Sequence, residues 1–154
     1  MKNMCMITIV ILLLVILGGA YKFLIQGSVS DSVDGRVAIH LTDAERAIVL
    51  KEMRTFLMSV QQIIRGISQE DMDHVAVSAR EVGRTAQDVV PASLIGKLPL
   101  SFKKLGFDTH EKFDLIALDA KALGDPDHTM DQLTELMNNC VSCHESHRFV
   151  VEEN

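Results

Sequence analysis

The feature that most constrains this chain is a five-residue stretch near its C-terminus, Cys140-Val141-Ser142-Cys143-His144. Two cysteines three positions apart, followed directly by a histidine, form the attachment pattern of a c-type haem. Two thiols can add across the two vinyl groups of the porphyrin, and the adjacent imidazole then reaches the iron as its proximal ligand. On a helix, Cys140 and His144 are one turn apart and share a face. The stretch therefore predicts a helix that carries one covalently bound haem c.

Two other chemistries use closely spaced cysteines. A zinc site would need a fourth ligand, which locally only His147 could supply, and structural zinc sites usually draw their ligands from two separate elements. A thioredoxin-like redox pair belongs after a strand in a βαβ unit, and no such unit is visible in this sequence. The third cysteine, Cys5, lies in the N-terminal apolar segment, so a disulfide framework is not expected either. Haem attachment is the interpretation that fits the setting.

Residues 1–25 predict an export signal or a membrane anchor. Lys2 precedes an almost wholly apolar run, and Gly18-Gly19-Ala20 fits a cleavage site after Ala20. Alternatively, residues 6–25 remain as one apolar segment of about 20 residues, which is enough to span a bilayer. We favour the anchor. In both cases the domain is expected in the periplasm, either tethered to the inner membrane or free in solution.

The remaining chain divides into a tether and a helical domain. Residues 26–40 are rich in Gly, Ser and Asp and lack periodicity, which predicts a flexible connection. Residues 41–154 predict an all-α domain, an antiparallel up-down four-helix bundle. Thr42 and Glu45 form a capping box that begins the first of its helices.

Each predicted helix carries a seam of apolar residues at alternating spacings of three and four. Pro91 ends the second helix, the third begins at Asp108 or Thr109, and the fourth begins near Asp127. The four seams are Leu50, Met53, Leu57, Val60, Ile64 and Ile67; Met72, Val75, Ala79, Val82, Ala86 and Val89; Phe113, Ile116, Ala120 and Leu123; and Met130, Leu133, Met137, Cys140, His144 and His147. Cys140 and His144 are thus predicted on the buried face of the last helix, where an imidazole needs a partner.

The order of these parts closely resembles the cytochrome c-prime family and its methionine-ligated low-spin relatives, over residues 41–149. The resemblance implies that Cys140 and Cys143 form the thioethers and that His144 is the proximal ligand. It also implies that Arg46 and Arg148 belong to the haem environment, with Arg46 near the propionates. His147 departs from the family, which more often has an aromatic residue there.

The resemblance leaves the sixth iron ligand open between two residues of the first helix. Leu50 falls on the family's distal position, where a leucine crowds the sixth site and leaves the iron five-coordinate. Met53 lies one turn further along the same seam, and a thioether sulfur suits haem iron and raises its potential. We prefer Met53, with a Leu50-shielded open site as the alternative and His110 as a further candidate.

These features predict an exported c-type cytochrome that transfers single electrons to redox partner proteins. The alternative is a module that binds a small gas such as nitric oxide at an open sixth site. Catalysis is not expected, because Leu50 and Met53 stand where a distal acid–base residue would be needed. The net charge of −6 with no basic run excludes a nucleic-acid footprint. The family resemblance also allows a homodimer.

Overall fold

The computed structural model describes residues 2–152. Met1, of the predicted signal or anchor, and Glu153 and Asn154, at the end of the predicted helical domain, lie outside the described residues. The described chain is mostly helical and has a small three-stranded sheet. Its six α-helices are α1 (Lys2–Tyr21), α2 (Asp43–Ser68), α3 (Met72–Arg80), α4 (Ala92–Lys97), α5 (Leu100–Ala122) and α6 (Pro126–Ser146). A π-helical turn (Lys22–Gln26) and a 3-10 helix (Arg84–Val89) follow α1 and α3. The strands are β1 (Val29–Asp31), β2 (Val37–Leu41) and β3 (His147–Val151).

Helix α1 is the apolar N-terminal helix that the sequence predicts. With the π-helical turn it contains a segment, Met6–Gln26, of mean hydropathy 2.4, which is long and apolar enough to cross a membrane. The residues of this segment are exposed, and the π-helical turn at its end contacts α4 and α5. The helix also runs through Gly18, Gly19 and Ala20 without interruption. Length and composition fit either a signal or an anchor.

The capping box that begins α2 is confirmed. The Thr42 hydroxyl accepts a hydrogen bond from the Glu45 backbone N–H at 3.2 Å, and the Glu45 carboxylate accepts one from the Thr42 N–H at 2.9 Å. Two amide donors that the helix itself cannot satisfy are thereby paired.

The buried face of α2 differs from the predicted seam. Leu57 is 69% exposed and Ile64 is 44% exposed, whereas their preceding neighbours Phe56 and Ile63 are buried. The last helix shows the same displacement, because Met137 is 44% exposed while Leu136 is fully buried. Parts of both predicted seams are therefore displaced by one residue, whereas Leu133 is buried as predicted and Met53, Val60 and Ile67 pack against the core.

Two predicted helix boundaries are wrong. The second helix does not continue to Pro91, because α3 ends at Arg80 and a 3-10 helix follows. The third does not begin at Asp108 or Thr109; α5 begins at Leu100, directly after Pro99 in extended backbone. A proline before the first turn is compatible with a helix start because the first helical amides lack partners in any case.

Four long or medium helices surround the main core. Helix α2 packs against α3 and α6, and α5 packs against the same two helices. The buried side chains between them include Phe56, Ile63, Val75, Val82, Phe113, Ile116, Leu133 and Leu136. A second cluster joins the sheet to α2, α4 and α5, and it contains Ile39, Leu41, Val49, Leu94 and Phe102.

The sheet corrects the prediction of a tether at residues 26–40. Strand β1 pairs with β2 in antiparallel fashion, and β2 pairs in parallel with β3, so that Ile39 lies beside Phe149. Ile39 and Leu41 are completely buried. The segment before α2 is thus part of the folded domain, and it lies beside the chain that leaves the end of α6.

Candidate functional site

The cysteines and histidine of the motif lie in the last turns of α6. This helix begins firmly, because the Asp125 carboxylate accepts hydrogen bonds from the N–H groups of Asp127 and His128, at 3.0 and 3.2 Å. Pro126 occupies the first helical position, where its missing N–H costs nothing. The helix ends at Ser146, two residues after His144. The motif is therefore helical throughout, as predicted.

The three motif side chains line a cavity, and Cys140 and Cys143 also pack against the two core clusters. Cys140 and Cys143 are half-buried, and His144 is exposed, which corrects the prediction that His144 lies on the buried seam. All three line a cavity of about 450 Å³ between α2, α5 and α6. Cofactor pockets in proteins typically occupy about 300–1,000 Å³.

The cavity wall is mostly apolar. Helix α2 contributes Leu50, Met53, Phe56, Leu57 and Val60; α5 contributes Phe102, Leu105, Gly106 and Thr109; α6 contributes Met137 next to the motif. Leu57 and Met137 are exposed because they line this cavity and do not pack in the core. The sequence-predicted seams of the first and last helices describe the cavity face of the domain better than its core.

Both candidate distal residues line this cavity. Met53 is half-buried and touches both core clusters, at the point where they approach each other. Leu50, one turn earlier in α2, is also half-buried. The fold thus brings Leu50 and Met53 to the same cavity as His144.

The two thiols are in surroundings that disfavour a thiolate. Burial, with a smaller contribution from the neighbouring Cys140, raises the pKa of Cys143 to about 11. Burial likewise raises the pKa of Cys140. A reactive redox pair needs the opposite shift, because the thiolate is the nucleophile.

Charged and polar groups enter the wall at a few points. His110 is buried in the middle of α5, and its Nδ1–H donates to the Val82 carbonyl at 2.7 Å. Its Nε2 lies 3.4 Å from the Glu52 carboxylate. Burial alone would lower the pKa of His110, but the bonds to Glu52 and Val82 outweigh burial and raise this pKa. Arg54 is the cationic side chain among the lining residues.

The two arginines implied by the family resemblance lie outside the cavity wall. Arg46 is in the first turn of α2, and Arg148 is in β3, where its Nη1 lies 3.3 Å from the Asp34 carboxylate. Asp34 also pairs with Arg36 at 2.7 Å, and this ion pair holds the pKa of Asp34 well below its usual range.

Sequence reasoning missed Arg36, Arg54 and Asn139. Arg36 donates to the backbone carbonyl of His144 at 3.3 Å, from the hairpin between β1 and β2. Asn139 lines the cavity and donates to Asp108 at 2.7 Å. Only Arg54 had a signal, since it directly follows Met53; Arg36 lay in a stretch without periodicity.

Within residues 2–152, no three His, Cys, Asp or Glu side chains come together as a metal-binding group. Such a group would be the minimum for a zinc site made of these donors. Comparisons with protein-family models, curated proteins and solved structures find no match to this chain. The chemistry of the site therefore has to be inferred from its own residues.

Proposed function

We propose that this protein is an exported, membrane-anchored c-type cytochrome that transfers single electrons. The observation that carries the proposal is the position of the motif, because Cys140, Cys143 and His144 all line one apolar cavity of about 450 Å³. Cys140 and Cys143 would hold the haem through thioethers, and His144 would bind its iron. The haem supplies one-electron exchange between the ferrous and ferric states.

The residues of the cavity suit this cofactor. An apolar wall from three helices matches a porphyrin ring. Arg54 offers a cation to a haem propionate, a charge-assisted interaction of the kind that guanidinium groups favour. Arg46, at the start of α2, and Arg148, in β3 just after the end of α6, are not among the residues of the cavity wall.

The fold proposed for the domain is a four-helix bundle made of α2, α3, α5 and α6. In such bundles, facing helices build a cofactor site from side chains that project between them. The mutual packing of α2 and α5 against both α3 and α6 supports this arrangement. The cavity lies on the side where α6 faces α2 and α5.

Met53 is the proposed sixth ligand. Met53 lines the cavity. The acidic residue of α2 in the same wall, Glu52, pairs with His110 and is therefore not the proposed iron ligand. The alternative function, binding of a small gas, is favoured by Leu50, which lines the same cavity and could shield an open sixth site. A six-coordinate iron suits electron transfer because its ligands change little between oxidation states.

The proposed location is the periplasmic face of the inner membrane, with α1 as the anchor. Its apolar segment of 21 residues supports a spanning helix. Lys22 follows α1 at the end where a cation would meet the outer interface.

A redox titration of the purified, haem-loaded protein tests the function. Electron transfer predicts a single one-electron transition and rapid oxidation by a soluble electron acceptor, with a spectrum that does not change when nitric oxide is added briefly. If nitric oxide binds at once and stoichiometrically while electron exchange is slow, the protein is a gas binder instead.

A further inference from the structure

The junction between α1 and the domain is packed rather than flexible. Directly after the apolar segment, the Gly27 N–H donates to the Lys22 carbonyl at 3.0 Å, and the Ser28 N–H donates to the Lys97 carbonyl at 2.7 Å. Lys97 ends α4, so the chain leaving the apolar helix is bonded at once to the domain. A flexible linker would leave these amides to water.

Two glycines allow this close approach. Gly27 has φ of 69°, and a Cβ there would collide with the Lys97 carbonyl oxygen. Gly96, in α4, lies against the ring of Phe23, and a Cβ on Gly96 would overlap that ring. Backbone and aromatic ring can meet at these distances only because neither glycine has a side chain.

Lys103 closes the junction from the domain side. It is 8% exposed, and its ammonium group donates to the carbonyls of Phe23 and Leu24 at 2.8 and 3.3 Å. The same nitrogen lies 5.7 Å from the centre of the Phe23 ring. The last carbonyls of a helix lack intrahelical donors and carry partial negative charge, so a buried cation stabilises them. Burial lowers the pKa of Lys103 because it disfavours the charged form. The two carbonyl groups and the Phe23 ring stabilise the ammonium charge in this buried position.

We propose that α4 and the first turns of α5 form a membrane-docking face, which Lys103 fixes to the end of the spanning helix against the phospholipid headgroups. The inference rests on the proposed anchor. Phe23 and Leu24 belong to the apolar segment Met6–Gln26, so the elements that hold them lie at the membrane surface. Lys22 and Lys104 are exposed at this end of the domain and would meet anionic headgroups.

This face has a consequence for electron transfer. A cytochrome on a flexible tether can turn toward different partners, whereas one held at its anchor keeps a fixed orientation to the bilayer. The domain would then exchange electrons with partners that come to its cavity side, by lateral diffusion in the membrane or from the periplasm.

Hydrogen exchange of the full-length protein in nanodiscs of phosphatidylcholine and phosphatidylglycerol tests the junction. The amides of Gly27 and Ser28 are expected to be protected in the wild type. Loss of two charge-assisted bonds in Lys103→Met should raise their exchange rates at least about tenfold. Lys121→Met, at an exposed position near the other end of α5, should leave them unchanged. Gly96→Ala, which pushes on Phe23, should reproduce the effect of Lys103→Met with core amides of α5 unaffected.

Linear dichroism of the haem bands in aligned membranes tests the fixed orientation. The wild type should be dichroic and Lys103→Met should lose most of the dichroism. Unprotected Gly27 and Ser28 amides in the wild type, or equal exchange in all variants, would overturn the docking face. A protein without haem, or one cleaved after Ala20, would instead contradict the proposed function or anchor, and the exchange data would still report on the junction.

Discussion

Met53 is the side chain on which the choice between electron carrier and gas binder depends. It lines the cavity and touches both buried clusters, so it lies near the centre of the domain rather than at its rim. Core packing alone could account for a methionine in such a place, because its flexible thioether fills irregular spaces. The shared cavity with His144 is what makes ligation the stronger interpretation.

Substitution of Met53 should distinguish ligation from packing. In Met53→Ala, the sulfur-to-iron absorption band should disappear and the iron should change from low spin to high spin, because its sixth ligand is removed. Met58→Ala is the matched control, since Met58 is 62% exposed on the same helix and should leave the spectrum unchanged. A high-spin wild-type spectrum that Met53→Ala does not alter would favour the open site shielded by Leu50.

At the scale of elements, the strand β2 shows how far the domain extends toward the N-terminus. Ile39 is completely buried among residues from α2, α4 and α5, although it belongs to the stretch predicted as a tether. In Ile39→Ala, the free energy of unfolding should fall by about 2–5 kcal/mol, as for other large-to-small substitutions in cores.

The control for that substitution lies in the same hairpin. Val33 is fully exposed, and Val33→Ala should change the free energy of unfolding by no more than about 0.5 kcal/mol. Thermal unfolding of the two variants in detergent measures the difference. Equal stability of both variants and the wild type would mean that residues 26–40 are a tether after all.

Local patterns predicted the elements that depend on local interactions. The capping box at Thr42 and Glu45 predicted the start of α2, and the predicted start of the last helix near Asp127 lies within one residue of the observed start at Pro126. The sheet was missed because β2 pairs with β3 across more than a hundred residues of sequence, for example Ile39 with Phe149. No local pattern records such a pairing.

The predicted core face of α2 was wrong at Leu57 and Ile64 for a different reason. Phe56 and Leu57, and likewise Ile63 and Ile64, are adjacent apolar pairs, so two faces about 100° apart fit the same helical period. The structure buries Phe56 and Ile63 in the core and leaves Leu57 on the cavity wall. A site that is itself apolar cannot be told from a core by hydrophobic periodicity.

At the scale of the whole molecule, Lys97 joins three distant parts of the chain. Its ammonium group lies 2.7 Å from the Glu45 carboxylate of α2 and 2.8 Å from that of Glu152, after β3. Burial alone would raise the pKa of Glu45, but the bonds from Lys97 and Thr42 outweigh burial and lower this pKa. The hydrogen bonds to Glu152 and Glu45 raise the pKa of Lys97.

These shifts predict a pH dependence of stability with a definite sign. The contribution of Glu45 is present above its ordinary pKa of 4.5 and is lost as the pH falls through its lowered folded-state pKa. That of Lys97 is present below 10.5 and is lost as the pH rises through its raised pKa. In Glu45→Gln, the acid-side decrease of the melting temperature should become shallower, with a stability loss at neutral pH of about 1 kcal/mol or less.

The control for this pH profile is Asp88→Asn, at an exposed position of the 3-10 helix. Melting temperatures measured between acid and neutral pH should give parallel curves for Asp88→Asn and the wild type. A Glu45→Gln curve parallel to both would show that the ion pair between Lys97 and Glu45 contributes nothing to stability at acid pH.

The central claim is that Cys140 and Cys143 bind a haem covalently in the cavity that they line with His144. Intact-mass spectrometry of the exported protein, after extraction with acidified acetone, tests it most directly, because only covalently bound haem remains. The wild type should carry the mass of one haem, and the double variant Cys140→Ser/Cys143→Ser should carry none. In His144→Ala, the absorption spectrum of the iron should change, because its proximal ligand is removed. A wild-type mass equal to that of the polypeptide alone, from cells that mature c-type cytochromes, would contradict the account.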